Sequence, residues 1–274
     1  MLDLTAAYDL TFMFPAGDKV VGPALRDSGE FSRVELDFLL EHGEAGQGAT
    51  LIDVGANIGS IALPFAKARP DWRVIAVEAH RGLAGVLSAN ALTNRLFNVE
   101  VMHAAAGPER SIAEFPATAL TAQGNFGELG FRVQGETEPV LMRPLDAFAP
   151  PNTALVKVDV EGFEFEVLQG ARDLIAAQRA TWILEASVQH SRTAAQVIAA
   201  FQSAGYQVFW FYVPFATPRS PKRAPANPLT GDANIVALPP GVPNRWSLRP
   251  VVEPGESRPG STDAYPYLAR YGYA

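Results

Sequence analysis

A glycine-rich turn at residues 53–60 is the first candidate for chemistry. Residues 51–60 read Leu-Ile-Asp-Val-Gly-Ala-Asn-Ile-Gly-Ser. Glycine allows a ligand to approach the backbone closely, and the start of a following helix offers unpaired N–H groups to a carboxylate or a phosphate. A dinucleotide-binding loop needs Gly-x-Gly-x-x-Gly, but Asn57 and Ser60 occupy the second and third glycine positions. The turn therefore favours an amino-acid moiety over a pyrophosphate. We predict that its ligand contacts come from Asp53, Gly55, Ala56, Asn57 and Gly59.

An acidic residue follows at the distance expected for a ribose ligand. The apolar run at residues 74–77 ends in Glu78, about twenty residues beyond the turn. A carboxylate there can accept hydrogen bonds from both ribose hydroxyls. The turn and Glu78 together predict a ligand in which a nucleoside is joined to an amino acid.

Three further residues are candidates for proton transfer: Asp159, Glu185 and His190. Asp159 and Glu185 end two later apolar runs, and we take Asp159 as the best active-site candidate, although it could also cap the helix that opens near Gly162. Histidine takes a proton most readily near neutral pH, yet a single loop histidine is often a surface residue. The same three side chains could collect around Mg²⁺. Nothing in their spacing requires an ion, so we predict no metal.

Alternating apolar runs and helical patterns indicate how these residues are positioned. The pattern predicts a mostly parallel sheet with helices on both faces, in which ligands bind beyond the carboxyl ends of the strands where the strand order reverses. The predicted strands are 50–54, 74–78, 99–103, 154–158, 182–185, 207–211 and 234–238. The predicted helices are 60–67, 83–95, 163–178 and 193–204.

Three segments fall outside this alternation. We predict that residues 1–48 form an N-terminal cap, that residues 49–238 form the ligand-binding domain, and that residues 239–274 form a C-terminal extension. Residues 107–145 lack a crossover helix and are expected to form an inserted hairpin region. Asn125, Phe126 and Gly127 in this region could line an acceptor pocket or form an ordinary turn.

Composition excludes several classes of function. The 274 residues include no cysteine, which rules out disulfides, cysteine zinc sites and thiol nucleophiles. A formal charge of −7 argues against a nucleic-acid partner. The sequence shows neither a signal-peptide pattern nor an apolar run of ~20 residues that could span a bilayer. We therefore expect a soluble, cytoplasmic protein.

The motifs together resemble those of FkbM-type methyltransferases. The resemblance rests on the turn at 53–59, on Glu78 and on residues 155–164, Leu-Val-Lys-Val-Asp-Val-Glu-Gly-Phe-Glu; it covers about residues 50–186 and continues more weakly to 238. It implies S-adenosylmethionine as the cofactor. It also implies a class I methyltransferase fold, which is Rossmann-like, with a seven-stranded, mostly parallel sheet whose last strand is antiparallel. One departure is Ala79-His80, where the family usually carries proline after the acid.

The resemblance implies methylation of a hydroxyl on a sugar, glycolipid, polyketide or polysaccharide precursor. We expect an O-methyltransferase that acts on a small polar acceptor and that could form a homo-oligomer. Two alternatives stay open. One is a nicotinamide-dependent oxidoreductase on a related sheet, which the missing glycines disfavour, and the other is a non-catalytic module that only binds S-adenosylmethionine.

Overall fold

The fold is built around one large sheet, with a hairpin and two helices before it and a small sheet inserted within it. A computed structural model describes residues 1–43, 48–186 and 190–273. The strands are β1 (Leu2–Ala7), β2 (Leu10–Pro15), β3 (Thr50–Val54), β4 (Arg73–Glu78), β5 (Val99–His103), β6 (Ala105–Ala106), β7 (Ser111–Pro116), β8 (Thr137–Arg143), β9 (Thr153–Val158), β10 (Thr181–Glu185), β11 (Gln207–Pro214), β12 (Gly231–Leu238) and β13 (Arg249–Pro250). The α-helices are α1 (Val21–Asp27), α2 (Arg33–His42), α3 (Ala62–Ala68), α4 (Arg81–Thr93), α5 (Glu164–Gln169), α6 (Arg172–Ala176) and α7 (Ser191–Ser203).

The strand order of the large sheet places its switch point beside β3. The order is β13-β11-β12-β10-β9-β3-β4-β5. Strands β3, β4, β5, β9 and β10 pair in parallel, whereas β12 is antiparallel to both β10 and β11. The chain runs outward from β3 to β5 and then returns to β9 on the other side of β3. The expected parallel sheet with its antiparallel last long strand is confirmed, and the two-residue β13 adds an eighth strand at one edge.

The central strands are buried on both faces and consist mostly of apolar residues, with Asp53 in β3 and Lys157 in β9 as charged exceptions. Every residue of β3 is buried, as are the last four residues of β9. Continuous apolar runs of this kind are typical of parallel strands that helices cover on both sides. All seven strands predicted from the sequence are present, with ends that differ by up to three residues.

The helices expected at 83–95 and 193–204 are present with ends shifted by one or two residues, and the other two differ from the prediction for identifiable reasons. The helix expected at 60–67 begins at Ala62, because Gly59 has a φ of +91° and ends a tight turn instead of starting the helix. The helix expected at 163–178 is split into α5 and α6 around Gly170. A Cβ on Gly170 would lie 2.0 Å from the carbonyl oxygen of Gly107, so the break allows close packing of two backbone segments.

The N-terminal hairpin is attached to the sheet domain by a buried asparagine. Strands β1 and β2 pair antiparallel, and β2 packs on α4. The side chain of Asn90 in α4 accepts a hydrogen bond from Met13 N at 2.7 Å and donates to Met13 O and Ile58 O at 3.0 Å. Asn90 therefore joins the hairpin directly to the glycine-rich turn.

The inserted region forms a small sheet of its own in the order β6-β8-β7, with β7 and β8 antiparallel. It begins directly after β5, at the side of the large sheet where the carboxyl ends of the parallel strands lie.

The C-terminal segment packs back on the core, where the Tyr267 hydroxyl exchanges two hydrogen bonds with the backbone of Tyr212. Within the described ranges, no helix has both the length and the apolar character that crossing a bilayer requires.

Candidate functional site

Two adjoining cavities open at the carboxyl ends of β3, β4, β9 and β10. The first, called here the polar cavity, has a volume of about 380 Å³ and is lined by seven carboxyl side chains together with Lys157 and Arg258. The second, the aromatic cavity, has a volume of about 50 Å³. The carboxyl residues of the polar cavity are Glu35, Asp53, Glu128, Asp159, Glu161, Glu185 and Asp232. The aromatic cavity is lined by Glu78 and by Phe115, Phe126, Phe131 and Phe163. Both cavities include Gly55, Asn57, Gly127 and Asp159 in their walls.

The glycine-rich turn forms the floor where the cavities meet. Gly55 has a φ of +80°, and a Cβ there would lie 1.8 Å from the carbonyl oxygen of Asp159. The N–H groups of Gly55 and Ala56 donate to Val77 O at 2.9 and 3.0 Å. The side chain of Asn57 accepts from Ile58 N at 2.7 Å. The need for glycine at position 55 therefore comes from its contact with the end of β9, whereas the sequence had suggested space for a ligand.

Gly59 is also required by packing inside the protein. A Cβ at this position would lie 2.5 Å from Cδ1 of Leu87 in α4. Ala56 and Gly59 complete the turn through a hydrogen bond from Gly59 N to Ala56 O at 2.8 Å. Of the five residues predicted as ligand contacts, Gly55 and Asn57 line both cavities, Asp53 and Ala56 line the polar cavity, and Gly59 lines neither.

Glu78 is fixed in place at the rim of the aromatic cavity. Its Oε1 accepts from His80 N and its Oε2 accepts from Asn57 N, both at 2.8 Å. Burial raises the pKa of this carboxyl to about 7, against the two backbone hydrogen bonds that lower it. Each carboxylate oxygen has a second lone pair, so the group can still accept two hydroxyl hydrogen bonds.

Ala79 stands where the family usually carries proline, and the next residue, His80, holds the loop in another way. Its Nδ1 accepts from Leu83 N at 3.1 Å, which caps the start of α4, and its Nε2 lies 2.8 Å from Thr118 O. The imidazole is buried. The departure from the family pattern therefore leaves Glu78 in a well-ordered loop.

A buried lysine links two of the predicted acids. Lys157 Nζ lies 3.2 Å from Asp159 Oδ2 and 3.5 Å from Asp53 Oδ1. Burial disfavours the charge of Lys157, but the acids Asp159, Asp53 and Glu35 outweigh it and raise the pKa of the ammonium. Asp53 is almost fully buried, and burial raises its pKa while Lys157 lowers it. Its carboxylate is therefore shared with Lys157, whereas Asp159 is about one-third exposed and faces both cavities.

Glu35 is a site residue that the sequence reasoning missed. It lies in α2 of the N-terminal region, is 3% exposed and lines the polar cavity. Its Oε1 has no hydrogen-bond partner in the described part of the chain, and burial raises its pKa to about 8. One signal was available, because Glu35 stands between Val34 and Leu36 in an apolar stretch of the helix.

The structure brings Glu185 and His190 together and adds Glu161. One ligand atom from each of the three lies within 4.8 Å of the others. Burial raises the pKa of Glu161 and of Glu185, and the nearby charge of Asp159 raises both further. Burial and the charge of Arg132 lower the pKa of His190. Glu161 and Glu185 line the polar cavity, whereas His190 lines neither cavity.

Comparison with known proteins gives the family. The model of the methyltransferase FkbM domain matches residues 53–208, which is more than half of the chain. No curated protein matches the sequence.

Three solved methyltransferases illustrate the structural likeness. The methyltransferase FkbM of Methylobacillus flagellatus KT is 19% identical with a TM-score of 0.47, and the match covers 69% of this chain and only 43% of that one. The precorrin-6y C5,15-methyltransferase of Geobacter metallireducens GS-15 is 16% identical with a TM-score of 0.47, over 74% and 87% of the two chains. A SAM-dependent O-methyltransferase of Thermotoga maritima is 12% identical with a TM-score of 0.44, over 75% and 64%.

The matched range includes the glycine-rich turn, Glu78, Asp159 and Glu185, which border the two cavities. The match favours the methyltransferase prediction over the nicotinamide-dependent alternative. The chain therefore belongs to the FkbM methyltransferase family and is an S-adenosylmethionine-dependent methyltransferase with the class I fold.

Proposed function

We propose that the protein transfers the methyl group of S-adenosylmethionine to a hydroxyl of a small polar acceptor, such as a sugar, a glycolipid or a polyketide. The observation that carries this proposal is the position of Asp159 in the wall shared by both cavities. The aromatic and acidic lining of the smaller cavity suits part of a nucleoside, and the larger polar cavity that adjoins it provides most of the space for the rest of the cofactor and for an acceptor.

The residues around the aromatic cavity fit the nucleoside part of the cofactor. Phe126, Phe131 and Phe163 provide apolar and ring surfaces for an adenine. Glu78 provides an oriented carboxylate for the two ribose hydroxyls. Gly55 and Asn57 line both cavities, so we assign them to the point where the cofactor passes from one cavity into the other, with Asp53 and Ala56 on the side of the polar cavity.

The proposed mechanism uses Asp159 at the point of transfer. The cofactor supplies a methyl group bonded to a positively charged sulfur. An acceptor hydroxyl that donates a hydrogen bond to Asp159 would be oriented for in-line attack on the methyl carbon. Asp159 would take the hydroxyl proton as the C–O bond forms and the bond from the methyl carbon to sulfur breaks, with S-adenosylhomocysteine as the leaving group. Lys157 is a positioning residue because its ammonium holds the Asp159 carboxylate.

The other two candidate bases are less well placed. Glu185 lines only the polar cavity, and His190 lines neither cavity. We therefore assign proton removal to Asp159 and not to Glu185 or His190.

A methyl-transfer assay with tritiated S-adenosylmethionine tests the proposal. The acceptor panel contains free sugars, nucleotide sugars, glycolipids and hydroxylated polyketides, and mass spectrometry identifies the methylated product. We expect transfer to a hydroxyl, and we expect Asp159→Asn to lower turnover more than it lowers cofactor affinity. Asp173→Asn, which changes an exposed residue of α6, is the matched control and should behave like the wild type. Cofactor binding without transfer to any acceptor would support a non-catalytic binding module.

A second candidate is methylation of an amine. Seven carboxyl side chains against two cationic ones favour a positively charged acceptor in the polar cavity. Amines therefore belong in the same panel, and transfer to nitrogen alone would overturn the assignment to a hydroxyl.

A cytoplasmic location and a homo-oligomeric state stay predictions from the sequence.

A further inference from the structure

We propose that Glu161, Glu185 and His190 form a binding site for a divalent cation at the wall of the polar cavity. From the sequence, the possible ligands were Asp159, Glu185 and His190, and no metal was predicted because they lie in separate segments and share no contiguous ligand motif. The fold changes this reasoning. Glu161 follows β9, Glu185 ends β10 and His190 directly precedes α7, and the three segments meet at one place.

The separations between the side chains fit a single ion. Their candidate ligand atoms all lie within 4.8 Å of one another. Metal–ligand bonds to carboxylate oxygen or imidazole nitrogen are roughly 2.0–2.4 Å long, so two donors on one ion lie no more than ~4–5 Å apart. One imidazole and two carboxylates are also ligand types that divalent metals accept together.

Two atoms of this cluster point to a missing partner. Glu185 Oε2 and His190 Nδ1 are both shielded from solvent and have no hydrogen-bond partner in the described residues. Buried polar side-chain atoms are nearly always paired in native proteins, so two such atoms in one cluster call for an explanation. A carboxylate oxygen and an imidazole nitrogen can both donate a lone pair, and one cation would satisfy them together.

Among the described residues, no lysine or arginine side chain forms an ion pair with the two glutamates of the cluster. Lys157 is paired with Asp53 and Asp159, and no ion pair joins Glu161 or Glu185 to a lysine or an arginine within the described ranges. Two carboxyl groups therefore lie close together in the wall of a cavity without a protein counter-charge.

The loop that carries Glu161 is shaped around the imidazole. Gly162 has a φ of +88°, and a Cβ at this position would lie 2.8 Å from Cδ2 of His190. The Oε1 of Glu164 accepts hydrogen bonds from Val160 N at 3.2 Å and from Gly162 N at 3.0 Å, which fixes the backbone on both sides of Glu161. The position of Glu161 relative to His190 is therefore held by the fold.

The donor set favours a transition-type ion such as Mn²⁺ or Zn²⁺ over Ca²⁺, which prefers six to eight oxygen ligands. Three protein ligands leave coordination positions open. In the polar cavity these positions can take two oxygens of an acceptor, and this consequence rests on the proposed hydroxyl transfer. Binding of the ion itself does not depend on it.

To test the site, the full chain is first stripped of metal with a chelator and then titrated with Mn²⁺. Electron paramagnetic resonance measures the bound Mn²⁺. We expect one Mn²⁺ per chain and a nitrogen modulation in the pulsed spectrum from the imidazole of His190. Glu161→Gln, Glu185→Gln and His190→Gln should each weaken Mn²⁺ binding at least about tenfold. Glu109→Gln removes an equal charge from an exposed position and should leave it unchanged.

Three results would overturn the proposal: no bound Mn²⁺, Mn²⁺ binding that the three substitutions leave unchanged, or bound Mn²⁺ without nitrogen modulation in the wild type. The last measurement needs no variant, so a misfolded variant does not weaken the test. Calorimetry with S-adenosylhomocysteine separates this proposal from the proposed function. Normal cofactor binding and methyl transfer without Mn²⁺ binding would reject the metal site alone.

Discussion

Replacement of Glu78 by glutamine tests the central geometric claim about the cofactor. The carboxylate oxygens are each held by one backbone N–H, and each keeps one lone pair for a ribose hydroxyl. In glutamine an NH2 group replaces one of the two carboxylate oxygens. This group donates hydrogen bonds and cannot accept one from the backbone N–H that it faces. Hydrogen bonds to a charged group contribute roughly 1.5–3 kcal/mol. Loss of one such bond predicts that S-adenosylhomocysteine binds roughly 10- to 100-fold more weakly, as measured by calorimetry.

A double-mutant cycle isolates the ribose contact from any disturbance of the turn. The second perturbation is removal of the ribose 2′-hydroxyl from S-adenosylhomocysteine. We expect the deoxy ligand to lose affinity for the wild type but little for Glu78→Gln, because the contact is already absent in that variant. Glu100→Gln on the neighbouring β5, an exposed residue paired with Arg73, is the control. Equal losses in the wild type and Glu78→Gln would refute the ribose contact, and so would an unchanged affinity of the folded variant.

Three further predictions concern pH, the hairpin and the turn. Because the pKa of Glu78 is raised from 4.5 to about 7 in the folded protein, its contribution to the free energy of unfolding falls as the pH rises from about 4.5 to 7 and is constant above that. The ribose contact needs the ionised carboxylate, so S-adenosylhomocysteine affinity should fall up to roughly tenfold per pH unit below pH 7, and Glu78→Gln should abolish this dependence. Asn90→Ala removes three hydrogen bonds of a buried side chain, which should lower the free energy of unfolding by about 2–4 kcal/mol and Tm by roughly 5–15 °C in calorimetry, whereas the more exposed Asn94→Ala should cost less than half as much. Gly55→Val should abolish cofactor binding by collision with Asp159 O, so normal binding by a folded variant would contradict the position of the turn.

The sequence was sufficient for the large sheet because its strands have an unusual composition. Strands such as β3 and β9 are mostly apolar and are buried on both faces, and the turns after them contain glycine or acids. These signals are local, so each strand could be predicted by itself. Two such local signals, the turn at 53–59 and Glu78, predicted a nucleoside joined to an amino acid, and the resemblance to the FkbM family implied S-adenosylmethionine.

The rest of the site depended on contacts between distant segments. Glu35 reaches the polar cavity only because α2 packs beside the sheet, and no spacing rule relates it to Asp159. Lys157 is internal to a strand, where its side chain gave no sign that it would pair with Asp53 on the neighbouring strand. The break between α5 and α6 likewise depends on Gly107, which lies more than sixty residues earlier.

The single helical turn at Phe126–Glu128 supplies Phe126 to the aromatic cavity and Glu128 to the polar cavity, with Gly127 in both walls. This three-residue turn thus borders both the cavity proposed for the nucleoside and the cavity proposed for the amino-acid moiety and the acceptor. If the proposed function is correct, substitutions in this turn that are meant to change the acceptor will disturb cofactor affinity as well. Glu35 and Arg258, which line the polar cavity from outside the matched family region, are the better place to begin.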